Sequence, residues 1–193
     1  MTEPFADAEW FIDHLEQFFE AEGSTALEVL SIAAHMLQTA AAANAAKAND
    51  SLVAAALLHD IGHWVDPDAR LAVLPDADRQ HEDVGAAYLS AFLGPEVYKP
   101  VQLHVAAKRY LCAAEPDYLA SLSLASVHTL ELQGGPMSED EIKAFESMPE
   151  HRNAVSLRRW DEYGKDPGLD VPSFAHYREL LASLVVHGRA AKH

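Results

Sequence analysis

Along nearly the whole chain, apolar residues recur at helical rather than alternating spacing. Between Phe5 and Glu22, the residues Phe5, Trp10, Leu15, Phe18 and Phe19 stand among acidic positions in the pattern of an amphipathic helix. Gly23 ends that run. Ser24 or Thr25 is placed to cap a second helix reaching about Ala48, with Glu28 three residues after Thr25 in capping-box spacing. Asn49 and Asp50 mark a turn, and Asp50 or Ser51 caps a third helix from Leu52 to about His63. The segment from Asp66 to Arg79 holds Pro67, Pro75 and several aspartates, which predicts a loop. Further helices are predicted over 81–93, 95–111, 117–132, 138–147, 149–163 and 173–187. Gly94-Pro95, Pro116, Gly134-Gly135-Pro136, Pro149 and a 164–172 loop separate them. No β-branched alternating run of useful length is present, and the Ala-rich stretch 39–46 predicts close helix packing. The expectation is one all-α domain over 1–193, with 1–22 as an N-terminal helix and 188–193 as a frayed tail.

Composition narrows the partners. The 193 residues are 49% apolar and 23% charged, enough for a sizeable core, with 14 Lys and Arg against 30 Asp and Glu. The resulting formal charge of −16 argues against nucleic acid, whose phosphates demand a basic face, and against anionic lipid. A small anionic ligand stays open, because a few buried cations reverse the field locally. The single cysteine, Cys112, cannot form an internal disulfide. The acidic N-terminus lacks the pattern of a signal peptide, and no stretch approaches the roughly 18 apolar residues of a membrane span. A cytoplasmic protein is the expectation, with oligomeric state left open.

Eleven histidines are many for this length, and their placement carries the chemistry. His59, Asp60 and His63 form H-D-I-G-H at the end of the apolar run L-V-A-A-A-L-L. His59 and His63, four apart, would share a helix face. An unpaired carboxylate at Asp60, directly after a buried stretch, would be costly, and a metal ion removes that cost. His35, His81 and His104 fall on separate predicted helices, and Asp161 follows Trp160 late in the chain. Each alone is compatible with ordinary packing or a solvated face. Together with His59 and Asp60 they form a set of N and O ligands distributed as helical bundles distribute their metal donors. His14, His128, His151, His176, His187 and His193 read as surface or packing residues.

The order H…HD…D, here His35, His59-Asp60 and Asp161, resembles the HD-domain superfamily, and the chain is identified as a single HD-domain helical bundle with a dimetal site in its core. The resemblance implies that these four residues bind one metal, that Asp60 bridges to a second, and that His81 and His104 complete it. Most members hydrolyse phosphate esters. The strings H-V-A-A-K-R-Y-L (104–111), S-V-H-T-L-E-L-Q-G-G-P-M-S (126–138) and L-R-R-W-D (157–161) resemble instead the organophosphonate-degrading, mixed-valent di-iron oxygenases of that superfamily. The expected cofactors are then two iron ions as a ferrous–ferric pair, with dioxygen as co-substrate. The expected reaction oxidises C1 of a 1-hydroxyphosphonate and breaks its C–P bond, leaving phosphate and a carboxylic acid such as glycine or glycine betaine. The alternative is a metal-dependent phosphohydrolase acting on a nucleotide or other phosphate ester.

Spacing supports an anionic head group. Lys108 lies one turn after His104, and Arg158 precedes Asp161 by three residues. Ser126, Thr129 and Gln133 share one helix face as hydroxyl and amide donors. The resemblance assigns His63, Lys108, Ser126, Thr129, Gln133 and Arg158 to the phosphonate, and implies that Asp60, His63 and Lys108 act in catalysis. It also matches Glu28, two turns before His35, to a glutamate that meets a substrate ammonium. The family places a lid tyrosine three residues earlier, where this chain has Thr25. The expected substrate is therefore 2-amino-1-hydroxyethylphosphonate or its N-trimethyl analogue, for which Trp64 would offer a cation–π face.

Overall fold

A computed structural model of the chain describes residues 4–23, 30–65 and 80–186. Helix α1 (Pro4–Gly23) buries Phe11, Leu15, Phe18 and Phe19, the i, i+4, i+7, i+8 stripe of a core-facing helix. Phe11 takes the place expected of Trp10, which is 54% exposed. Helix α2 (Ile32–Ala45) starts later than its pattern suggested. Leu30 and Ser31 are not helical, and Ser31 is extended with its side chain accepting from Ala34 N (3.1 Å). A Ser hydroxyl that satisfies an orphan amide is a better helix start than a continuation through it. The expected cap at Ser24 or Thr25, with Glu28, lies outside the described residues.

Helix α3 (Asp50–Leu58), capped by Asn49 Oδ1 on Leu52 N (2.9 Å), is buried from Leu52 through Leu58. It passes through the centre of the core, so its residues are apolar on every side. Ala40 and Ala43 of α2 are fully buried beside it; methyl-sized side chains let the two helices approach closely. The predicted helix to His63 is broken instead. His59, Asp60 and Ile61 form a turn, and a short helix α4 (Gly62–Val65) follows. Gly62 explains the break and the geometry after it. A Cβ there would run into the carbonyl of His81 and lie 3.0 Å from Gly85 N, so only glycine lets α4 cross α5 (His81–Leu89) this closely.

Helix α6 (Pro95–Ala114) opens with Gly94 and Pro95 as N-cap and first turn. The expected single helix over 117–132 is two, α7 (Pro116–Ser121) and α8 (Leu124–Leu132), because Ser123 accepts from Ser126 N and starts a new helix. Helix α9 (Glu139–Glu146) carries a full capping box between Ser138 and Glu141. Helix α10 (His151–Tyr163) packs on α6, α2 and α3. A 3₁₀ turn (Phe174–Tyr177) and α11 (Arg178–Leu184) close on α1, where Arg178 donates to Asp13 (2.7 Å) and Glu16. No described helix is long and apolar enough to cross a membrane. Among the described residues the only β pairing is an isolated bridge between Leu93 and Val185. The tail expected to fray lies outside the described residues.

Candidate dimetal active site

Five helices converge on Asp60. Its Oδ2 lies 3.4 Å from His59 Nε2 and 3.7 Å from His35 Nε2, and its Oδ1 lies 3.4 Å from His81 Nε2 and 3.6 Å from His104 Nε2. The carboxylate thus faces one histidine pair with each oxygen. Within each pair the Nε2 atoms are 3.2 Å apart. Asp161 Oδ1 joins the first group, 3.1 Å from His35 Nε2 and 4.0 Å from His59 Nε2. His35, His59 and Asp60 form one potential metal-binding cluster, and Asp60, His81 and His104 a second.

These spacings suit a cation. Two ligands each about 2.1 Å from one ion sit about 3.0 Å apart at a right angle and about 3.4 Å apart at a tetrahedral one. Backbone carbonyls aim the rings inward. His35 Nδ1 meets Gly164 O (2.6 Å), His59 Nδ1 meets Ala56 O (2.9 Å) and His104 Nδ1 meets Val101 O (2.7 Å). A ring that donates from Nδ1 keeps Nε2 for a metal. The donor set of four imidazoles and two carboxylates suits iron or another transition metal and is too nitrogen-rich for magnesium or calcium.

Charge is distributed unevenly. Burial alone would lower the pKa of His35, but the hydrogen bond to Asp161 and the charge of Asp60 outweigh it and push it up to about 9. Burial holds His59 down despite both aspartates, and burial with the neighbouring His81 takes His104 down to about 3. Burial opposes ionisation of Asp60 and Asp161, yet His59 and His81 for the first, and Arg158 and His35 for the second, hold both well below the usual carboxylate range. The protein therefore keeps two anions at its centre, with a proton on His35 standing where a cation would bring its charge.

On the far side of Asp161 lies a second layer of donors. Arg158 is buried, and its guanidinium donates to Asp161 Oδ2, to Tyr118 Oη (2.9 Å) and to Glu162 Oε2 (2.9 Å). Lys108 is buried one turn beyond His104 and donates to Thr129 Oγ1 (2.8 Å). Burial and the adjacent Arg158 lower its pKa to about 8. Ser126 Oγ donates to Glu162 Oε1 (3.1 Å). Gln133 closes α8, and its buried Oε1 has no hydrogen-bond partner among the described residues.

His63, set beyond the turn rather than on the helix of His59, stacks on His81 with ring centres 4.2 Å apart. The ring of Trp64, placed by the sequence pattern as a cation–π face, packs against His14 and Phe18 of α1 and Tyr88 of α5. Glu28 and Thr25 lie outside the described residues, and the extended Ser31 removes the continuous helix on which Glu28 was placed two turns before His35. Sequence reasoning missed Tyr118, Glu162, Lys165 and the carbonyl of Gly164. A glycine directly after the W-D-E-Y string was the one available signal. A Cβ there would lie 2.5 Å from Thr39 Oγ1 and 3.2 Å from His35 Nδ1.

Comparison with known proteins gives the family. The HD domain family matches residues 26–163. The chain is 44% identical over 177 residues to the hydroxymethylphosphonate dioxygenase of Gimesia maris, covering 91% of this chain and 84% of that protein. This chain belongs to the HD-domain phosphonate oxygenases. It is also 39% identical over 158 residues to the glycine-betaine-forming [1-hydroxy-2-(trimethylamino)ethyl]phosphonate dioxygenase of Leisingera caerulea, covering 82% of this chain and 81% of that protein. This HD-domain oxygenase is thus an enzyme, and the polar cluster at its core is its candidate metal centre.

Proposed function

We propose that this HD-domain oxygenase uses a pair of iron ions and dioxygen to break the C–P bond of a 1-hydroxyphosphonate. His35, His59, Asp60 and Asp161 would hold one ion, and Asp60, His81 and His104 the other. The observation that carries this reading is Asp60, whose two oxygens face two separate histidine pairs at 3.4–3.7 Å. A carboxylate with one oxygen toward each histidine pair would serve as a ligand common to both ions. Bound there, iron supplies one-electron chemistry and an open position for dioxygen.

The chain's own residues do the rest. Lys108 and Thr129 offer N–H and O–H donors to the phosphonate oxygens, Ser126 and Gln133 extend that face, and Arg158 supplies a buried guanidinium. Arg158 also fixes Asp161 through Oδ2, leaving Oδ1 beside His35, where it would be available to a metal. His63, stacked on His81, lies against the second metal group and can hold the substrate hydroxyl. The reaction balances without an external reductant: R–CH(OH)–PO₃²⁻ and O₂ give R–COO⁻, HPO₄²⁻ and a proton.

The 44% identity to a hydroxymethylphosphonate dioxygenase supports hydroxymethylphosphonate as the substrate, with formate and phosphate as products. The test is phosphate release from iron-loaded protein given hydroxymethylphosphonate, 2-amino-1-hydroxyethylphosphonate or its N-trimethyl analogue, with and without oxygen. Oxygen-dependent release is expected, fastest from hydroxymethylphosphonate. A faster aminated or trimethylated substrate overturns the substrate choice. No release from any of the three, together with anaerobic hydrolysis of a phosphate ester, overturns the oxygenase chemistry for this chain.

A further inference from the structure

Glu162 stands where an anion is wanted. One carboxylate oxygen accepts from Ser126 Oγ (3.1 Å) and the other from Arg158 Nη2 (2.9 Å), two of the donors assigned above to the phosphonate. Lys165, one turn further on, spans the same pair: its Nζ donates to Ser126 Oγ (3.0 Å) and to both oxygens of Glu162, the longer contact being 3.1 Å. The Glu162 side chain is 16% exposed and Lys165 34%, against 7% for Arg158, so the trio runs from the buried guanidinium outward. Arg158 cannot leave Asp161 without disturbing a candidate metal ligand, and its Nε is held by Tyr118. The nitrogen it can give a substrate is the one Glu162 holds.

We propose that Glu162 is a resident stand-in for the phosphonate group, occupying Ser126 and Arg158 until substrate displaces it onto Lys165. This inference rests on the head-group assignment made above. A carboxylate and a phosphonate compete for the same donors because both are anionic oxygen acceptors, and the bidentate partners of a guanidinium exchange when a stronger anion arrives. Lys165 makes the exchange possible. It already contacts both oxygens of Glu162 and keeps that carboxylate paired once Arg158 and Ser126 have turned to the substrate. Glu162 thereby sets the threshold concentration at which an anion enters, and rejects weaker ones.

The test is a pair of variants with opposite expected signs. Glu162→Gln keeps the shape and removes the charge. KM for the preferred phosphonate and the inhibition constant of inorganic phosphate should each fall about three- to tenfold, the worth of one partly screened charge contact. Lys165→Met should raise both constants by a similar factor in the native background, because Glu162 then has nowhere to go. In the Glu162→Gln background the same change should have little effect. Constants that rise in Glu162→Gln make Glu162 a support for Arg158 and overturn the proposal. A Lys165→Met loss that persists in both backgrounds makes Lys165 a direct substrate contact, with the same consequence. Calorimetric titration of inorganic phosphate into the metal-loaded protein reads the same signs without turnover. Failure of phosphonate oxidation and failure of this exchange are thus separable.

Discussion

Metal binding to the His35 group must displace a proton, and the structure gives the size of that competition. His35 titrates at about 9, held up by Asp161 and Asp60 against its burial. Below that pH, Nε2 carries the proton that the carboxylates attract; a metal needs the same lone pair. At pH 7 only about one molecule in a hundred has His35 neutral, so the apparent affinity of this group is about a hundredfold below its limit. The sign follows directly. Affinity rises about tenfold per pH unit from 7 towards 9 and flattens above it. His104, already neutral above about 3, adds no such slope to the second group. The assay is competition of the apo-protein with a chromophoric chelator at fixed ionic strength from pH 6.5 to 9.5, corrected for the chelator's own protonation. Calorimetry in buffers of different ionisation enthalpy should report about one proton released by this group per ion at pH 7. An affinity that levels off by pH 7.5, or the absence of proton release, would refute the proposed charge state and the role of Asp161 in setting it.

Asp60→Asn removes the negative charge shared by both histidine pairs, and should leave no more than one metal per chain with activity lost; two metals and normal turnover, by elemental analysis and phosphate release, would remove Asp60 from the centre. Lys108→Ala should raise KM at least tenfold while leaving metal content intact, and the native KM should climb as pH passes about 8, where Lys108 loses its charge. Lys108→Arg should abolish that pH dependence, and a variant that empties the metal site instead would make Lys108 structural. Gly62→Ala forces a methyl group into the His81 carbonyl, and should lower stability by about 1–3 kcal/mol in denaturant melts and loosen metal at the His81 pair. A variant that melts and loads like the native protein would show that α4 and α5 are not locked at this crossing.

Much of the centre was legible in the chain, for a physical reason. A buried carboxylate at the end of an apolar run needs a partner, so H-D-I-G-H announces a metal, and histidines on separate helices announce the other ligands. The helix breaks were harder. Leu30-Ser31 and Leu122-Ser123 sit inside apolar, helix-forming stretches, and a serine there continues a helix as readily as it caps one until tertiary packing decides. The turn at Asp60 was masked by the same continuity. Glu162 and Lys165 gave no signal, since charges one turn apart read as a solvated helix end. The carbonyls that orient His59 and His104 are beyond any sequence reading, because every residue has one, and the carbonyl that orients His35 is marked only by its glycine.

The break that separates α8 from α7 leaves its mark on what this architecture can become. Asp60 and its four histidines are anchored in or beside the elements that make the core, α2, α3, α5 and α6, where a change of one methyl group is felt. Ser126 and Thr129 ride on α8, a nine-residue segment with its own serine start and a glycine turn after it. That segment can shift while the histidine pairs around Asp60 keep their spacing. A change confined to α8 would therefore alter the polar donors of Ser126 and Thr129 without moving the residues around Asp60.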